Sequence, residues 1–384
     1  MRIIVCTPTF LPVVGGAEIG IHEIYHRLGR DHDVTILTPP LSPALLATYG
    51  ADDYVSDRYR VVHIYPMLER RLPALACRAL RRTSLLYVAA LASAIRSDRP
   101  DVINFHFVRP HGGALIMTQR LHRVPSVLSL VGRLDVMRLL PSPQRIYAKM
   151  IVAQADLTLP NSSYYLGTRS AGSNIRVIPY GVDAAQFSPS RRSDALRDSL
   201  GLTSEHFALV CVQRLSPVKR VDMLIRAMAE IVPRNPLVTL IIGGQGEEEP
   251  RLRELVAELD LTDHVRFAGY ISSDDLPAYF ASADAFAFHS VLETFGIVFA
   301  QAMASGLPIV AARTSCVPDV LTPENGLLVE PFDVEAFADA VLTLARDRHL
   351  ARQIGAHNRE RATREMDWNH IAAQYERALA DAAA

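Results

Sequence analysis

Lysine is almost missing from this sequence: of 40 Lys and Arg in 384 residues, only Lys149 and Lys219 are lysines. A general preference for arginine accounts for the bias, and it makes each lysine a position to inspect. Cysteine is scarce too. Cys6, Cys77, Cys211 and Cys316 stand alone, without metal-ligand or redox spacing. That excludes a disulfide scaffold or a zinc domain and points to a reducing compartment. Long apolar runs are absent. The longest, 85–95, is about half of what a bilayer-spanning helix requires. The start, MRIIVC, holds an apolar run too short for a signal peptide. Charge is ordinary at 21%, and Pro and Gly are not in excess, which excludes disordered and collagen-like classes. The expectation is a soluble, cytoplasmic protein. It should have two domains, since single cores seldom grow beyond roughly 250–300 residues.

What is present is a division. The net charge of −1 hides 21 Lys+Arg against 13 Asp+Glu in residues 1–184, and 19 against 28 in residues 185–384. Such asymmetry suggests a different partner for each half. Short β-branched apolar runs at 3–6, 34–37, 61–64, 102–105, 127–130, 157–159 and 176–178 read as buried strands. Helical patterns at 16–29, 72–97, 111–122, 143–155 and 162–171 separate them. A second series has strands at 208–213, 238–242, 265–267, 285–288, 308–311 and 327–329. Its helices fall near 217–232, 249–259, 273–282, 297–305 and 333–346, and the last segment, 368–380, is amphipathic. Between the two series, IPYGVDAAQFSPSRRSD (178–194) is rich in turn residues and reads as the boundary. The pattern is α/β, two doubly wound Rossmann-like domains in succession. Ligands of such sheets bind outside the carboxyl ends of the strands, so chemistry is expected there.

Four strand ends hold candidates. After the first strand, Gly15 and Gly16 would let the backbone approach a ligand, and the helix that follows presents unpaired N–H groups to an anion. The spacing is not that of the dinucleotide fingerprint. After the strand ending near Arg214, Ser216 suits an N-cap and Pro217 a first helical position. Lys219 then falls in a first helical turn, where a cation is unfavourable unless an anion such as a diphosphate completes the site. The alternative is a solvated pair beside Asp222. In DAFAFHSVLETFGIVFAQAMASG, Glu293 lies on a loop where a carboxylate is a strong acceptor for hydroxyls. The amides of Phe295, Gly296 and Ile297 follow it, and Gln301 sits one and a half turns into the next helix. In DVINFHFVRPHGG, His106 falls just past a strand end, with Arg109 and His111 after it.

These segments, in this order, resemble the retaining glycosyltransferases of family 4, which have the GT-B architecture. The resemblance rests on GGAE (15–18), IPYGVD (178–183), RLSPVK (214–219), IIGGQGEEEPRL (241–252), VRFAGYISSDDLPAYFASAD (265–284), ETFG (293–296), QAMASGLPIVA (301–311) and NGLLVEP (325–331). It implies two Rossmann-like domains facing across a cleft. Residues 1–184 would bind the acceptor and 185–366 the donor, with a crossover helix, 367–384, packing on the first domain. It implies that Arg214 and Lys219 hold the donor diphosphate, and that the Gly15–Gly16 loop covers it. Glu293, Thr294, Phe295 and Gly296 would hold the transferred sugar. Gly269, Tyr270 and Ile271 would border the base, Gln301 the ribose, and His106 would lie near the reacting sugar. The implied activity is metal-independent, retaining transfer of a hexosyl-type sugar from a nucleotide diphosphate sugar, UDP or GDP type, to a glycan, lipid or natural-product hydroxyl. No cofactor and no nucleic acid enter it. The alternatives are a nucleotide-sugar-binding pseudoenzyme and a GT-B epimerase. The sequence departs from the family at Gln301, a glutamate elsewhere, at Arg220, usually glycine, and at SCVPD (315–319), usually GG-x-P-E. Arg70, Arg71, Arg78, Arg81 and Arg82, beside the apolar face of 69–96, suggest peripheral contact with an anionic membrane leaflet.

Overall fold

The structure is a computed structural model describing residues 1–13, 15–40, 56–64, 84–108, 112–132, 142–165 and 174–384. Arg109, His111 and the five arginines at 70–82 lie outside them. The chain forms two compact units, Met1–Tyr180 with Trp368–Ala384, and Gly181–Asp367.

In the first unit the apolar runs become β1 (Arg2–Cys6), β2 (Asp33–Thr38), β3 (Arg60–His63), β4 (Val102–His106), β5 (Ser126–Leu130) and β6 (Leu157–Pro160). They make one parallel sheet in the order β3-β2-β1-β4-β5-β6. The strands are nearly continuous apolar runs because both faces are covered. On one face α2 (Ser84–Asp98), α3 (Gly112–His122) and α4 (Ser142–Gln154) pack Tyr87, Leu91, Leu115 and Ile151 against Ile4, Cys6, Phe105 and Leu128. The C-terminal helix, Trp368–Ala383, packs on α1 (Gly16–Leu28) and also meets β4 and β5. Two expectations need correcting. Residues 176–178 are not a strand: the chain donates from Arg176 and Ile178 to β6, but Pro179 has no N–H to continue the ladder. The described apolar face of 84–98 is core, since Tyr87, Ala90, Leu91, Ala94 and Ile95 are all buried.

The second unit repeats the plan. Strands β7 (Phe207–Val212), β8 (Val238–Gly243), β9 (Val265–Gly269), β10 (Ala285–Phe288), β11 (Ile309–Ala312) and β12 (Gly326–Val329) are parallel, ordered β12-β11-β10-β7-β8-β9. Its helices are α5 (Asp194–Ser199), α6 (Val221–Ile231), α7 (Glu249–Glu258), α8 (Leu276–Ser282), α9 (Ile297–Ala304), α10 (Val317–Val320), α11 (Val334–Arg346) and α12 (Arg348–Glu365). Helices α6, α7 and α11 cover one face with Leu224, Met228, Leu252, Val341 and Leu344. Elsewhere in the unit Phe280, Phe286, Phe288 and Phe299 form an aromatic cluster in which Phe299 meets Phe286 and Phe288 edge to face.

Helix α12 was not expected from the sequence. It buries only Ala351, Gly355, Asn358 and Ala362. A Cβ on Gly355 would meet the carbonyl of Gly306 at 2.0 Å, so the helix seats by close backbone approach instead of by bulk. Asn358 donates to the carbonyls of Leu307 and Asn325, and Arg359 to those of Ala184, Phe187 and Ala304.

Counted from the first strand of each unit, both sheets run 3-2-1-4-5-6. The connections therefore diverge between the first and fourth strands, β1/β4 in one unit and β7/β10 in the other. In sheets of this order, ligands bind in a crevice beyond the carboxyl ends at that point.

Candidate functional site

The second unit's switch point carries the charge. Beyond β7, Gln213 is buried, Arg214 is exposed, and Leu215 is buried again. The guanidinium of Arg214 has no hydrogen bond or ion pair in the structure. Ser216 caps a single 3-10 turn, Pro217–Lys219, with no side-chain hydrogen bond. Lys219 is therefore not in the first turn of α6, as the sequence suggested. It ends a turn of its own, and Arg220, in the left-handed conformation (φ 46°, ψ 44°), separates it from the helix. The Lys219 ammonium pairs with the Glu293 carboxylate at 2.6 Å, both side chains largely buried, and lies 5.7 Å from the centre of the Phe288 ring. Lys219 is thus not a solvated partner of Asp222. Asp222 instead takes both nitrogens of the Arg220 fork at 2.9 Å each. Burial pushes the Asp222 carboxyl up, and the paired guanidinium overrides that, leaving it below its ordinary value.

The loop between β10 and α9 is laced to its neighbours. Val291 N–H and the Ser290 hydroxyl both donate to the Val218 carbonyl. Thr314 donates to the Ser290 carbonyl and Ser315 to that of Val291. Glu293 also accepts from the amide of Thr294 at 3.0 Å. Phe295 is buried, and Gly296 caps α9 with φ 77°, where a side chain would be strained. Ile297 begins α9, whose first amides lack intrahelical partners and face an anion favourably. Gln301, on the same helix, is half-buried, and its amide has no partner within the protein. Gly269 ends β9 with φ 67° and open space at its Cβ position. Tyr270 is exposed, and Ile271 lies against Gly243.

The first unit's switch point is built differently. Gly15 caps α1, and Gly16 is its first residue. A Cβ on Gly15 would meet the Glu18 carboxylate at 2.5 Å, so this glycine makes room for Glu18, which also accepts from the Thr9 hydroxyl. The start of α1 thus already has a negative charge in its first turn. His106 is the last residue of β4, not the first beyond it, and it is fully buried. Its Nε2 lies 3.3 Å from the Tyr25 hydroxyl, which accepts from Asn104 at 2.6 Å, and Ser129 donates to Asn104. Burial pulls the His106 pKa down to about 3, so the ring is neutral, and its Nδ1 has no partner.

Two family profiles match successive parts of the chain: Glycosyltransferase Family 4 over residues 14–186 and Glycosyl transferases group 1 over 192–361. The chain belongs to glycosyltransferase family 4. A GDP-mannose-dependent alpha-(1-6)-phosphatidylinositol monomannoside mannosyltransferase of Mycolicibacterium smegmatis is 28% identical over 94% of both chains. The mannosyltransferase of that description from Mycobacterium tuberculosis is 34% identical over 52% of this chain and 54% of its own. For that relative and others matched over similar stretches, the chain spans about half of their length. Among solved structures, HepE of Anabaena, in complex with UDP and glucose, superposes with a TM-score of 0.75 at 24% identity over 99% of this chain and all of its own. Sucrose-phosphate synthase of Thermosynechococcus elongatus does so with 0.78 at 23% identity over 98% and 97%. At these identities the likeness shows the GT-B fold alone.

Sequence reasoning missed three residues packed around these candidates. His289, next after β10, is buried and accepts from the Phe332 amide at 3.4 Å. Phe332 carries the Arg220 guanidinium 5.0 Å from its ring centre and has φ 68°. The Gln213 side chain donates to the Lys219 carbonyl. The only signal for this cluster was Arg220 standing where the family has glycine.

Proposed function

We propose that this chain is a retaining, metal-independent glycosyltransferase that moves a sugar from a GDP- or UDP-linked donor to a hydroxyl acceptor. The observation that carries the reading is the Arg214, Lys219 and Glu293 set at the adjacent ends of β7 and β10. A diphosphate needs positive charge as its bridging oxygen leaves, and Arg214 and Lys219 supply it. Drawn to the diphosphate, Lys219 shares its charge between phosphate and Glu293, and the carboxylate lone pairs accept sugar hydroxyls. Amides at the start of α9 add positive potential beside them. Gln301 meets the ribose, and Gly269, Tyr270 and Ile271 border the base. The Gly15–Gly16 loop covers the diphosphate, and the buried, neutral His106 with its Tyr25 and Asn104 partners supports the structure near the reacting sugar without touching it. The relatives, GDP-mannose-dependent phosphatidylinositol monomannoside mannosyltransferases, favour a GDP-linked mannosyl donor and an inositol-lipid acceptor, which a peripheral membrane contact would bring within reach.

The test is incubation with GDP-, UDP-, ADP- and TDP-sugars, following free nucleoside diphosphate, with and without EDTA. Release from a GDP- or UDP-sugar that survives EDTA is expected, and the product should keep the donor's anomeric configuration. Nucleotide binding without release from any donor would replace this reading with a binding protein.

A further inference from the structure

Among the described residues, nine large hydrophobic side chains are exposed, and four of them sit on two neighbouring helices of the first unit. These are Met117 (41%) and Leu121 (64%) on α3, and Ile146 (69%) and Met150 (46%) on α4. The helices touch closely, since a Cβ on Gly112 would meet Tyr147 and Ile151. On α4 the core side is taken by Ala148, Ile151 and Val152. Ile146 and Met150, four residues apart, fall on the opposite arc, where a surface helix ordinarily carries charge. The charge carried by these helices is of one sign: Arg120 on α3, Arg123 just after it, and Arg145 and Lys149 on α4, with no acid in either helix. Among the described residues, Arg123, Arg145 and Lys149 have no ion-pair partner. Lys149 is one of the two lysines of the chain.

Apolar side chains at the crest of a helix, flanked by long unpaired cations and no carboxylates, match an anionic bilayer surface. The aliphatic groups enter the boundary of headgroup and acyl chain, while Arg and Lys reach the lipid phosphates. We propose that the outward face of α3 and α4 docks this protein on an anionic lipid bilayer. This deepens the reading of a lipid acceptor, on which it rests for its purpose, and places a contact on the two helices that follow the 69–96 segment, whose described apolar side is core.

The experiment is flotation of the full chain with vesicles of phosphatidylcholine and phosphatidylglycerol, 70:30, against phosphatidylcholine alone, with no nucleotide sugar present. Flotation is expected with the anionic vesicles only, and it should fall at high salt. Each of Arg145→Gln and Lys149→Gln should weaken partitioning about fivefold. Ile146→Ser with Met150→Ser should weaken it by about tenfold or more. These side chains are exposed, so the melting temperature should hold, and Leu237→Ser in the second unit should float like wild type. No flotation, equal flotation on neutral vesicles, or variants that float like wild type would overturn the proposal. So would a dimer of the chain that the Ile146 and Met150 substitutions dissociate while vesicles are ignored. Because no donor is used, failure here leaves glycosyl transfer standing, and absence of transfer would leave the docking result intact.

Discussion

The two units share one strand order, and with it one place for a site, yet they fill that place with opposite chemistry. Beyond β7 and β10 stand an exposed, unpaired Arg214 and a Lys219–Glu293 pair. Beyond β1 and at the end of β4 stand two glycines, a first-turn Glu18 and a buried neutral network of Tyr25, Asn104, His106 and Ser129. Topology dictates where a crevice opens, and the side chains decide what it can hold. Fixed cations serve a leaving diphosphate. A neutral, closed network serves orientation, because a buried imidazole with pKa near 3 does not carry a proton at ordinary pH. In the proposed reaction the charged steps accordingly fall to one unit.

The largest effect that bears on this contrast is acid sensitivity of the first unit. His106 is held neutral when folded and titrates near its ordinary value of about 6.5 when unfolded. A depressed folded pKa gives stability that is complete above pH 6.5 and is lost as pH falls toward 3. The loss is about 1.4 kcal/mol per pH unit, or roughly 3 kcal/mol by pH 4. His289, pulled to about 4 by burial and then by Arg220, does the same for the second unit but over a shorter window. Thermal unfolding from pH 7.5 to 4 should show His106→Gln flattening the slope of the first unit's transition and leaving the second's unchanged. An unchanged slope would mean that His106 is accessible and charged in the native protein, and the contrast between the two switch points would collapse.

Next in size is the charge pair. Neutralising Lys219 or Arg214 should lower the transfer rate roughly 10- to 150-fold, about 1.5–3 kcal/mol of transition-state stabilisation, with the double change far from additive. Lys219→Ala also strands the largely buried Glu293 carboxylate, so it should cost stability that Arg214→Ala does not. Lys219→Ala with Glu293→Gln should recover that stability without recovering rate. Near-normal turnover by Lys219→Ala would remove the second unit's claim to the leaving group.

Most of the two sheets could be read from the sequence, because a parallel strand covered on both faces is a run of apolar residues bounded by breakers. Helix α12 could not. The residues it fully buries are Ala351, Gly355, Asn358 and Ala362, small or polar residues at spacings of four, three and four, which hydrophobic periodicity registers poorly. At the site, the residues were legible and their pairings were not. Lys219 has Asp222 three residues away and Glu293 74 residues away, and only the sheet order brings β7 and β10 together. His106 looked accessible because strand ends usually are. Nothing local announces that Tyr25, 81 residues distant, shares its pocket.

A smaller effect sharpens what the charged switch point recognises. A carboxylate in place of Gln301 could accept from both ribose hydroxyls, whereas an amide offers one acceptor oxygen and must otherwise donate. Gln301→Glu should therefore tighten binding of the cognate nucleoside diphosphate by roughly 5- to 30-fold, about 1–2 kcal/mol, measured by calorimetry. Weaker binding by the glutamate variant would show that the amide N–H is in use and that the ribose position is held differently here.

The smallest effect concerns the turn that presents Lys219. Arg220 adopts φ 46°, a left-handed conformation costing a non-glycine residue about 1 kcal/mol, at the position where relatives of this family carry glycine. Its side chain offsets that cost through the two bonds to Asp222 and the face of Phe332. Arg220→Gly and Arg220→Ala both remove those contacts, but only glycine also removes the strain. The difference between the two variants therefore isolates the backbone. Glycine should be more stable than alanine by about 1 kcal/mol in the second unit's transition, with no difference in the first. Arg220→Lys, which keeps charge but loses the fork to Asp222, should fall with alanine. If alanine and glycine melt together, the turn is not left-handed at residue 220. Lys219 would then be positioned by its pair with Glu293 alone, and the second switch point would be the softer of the two.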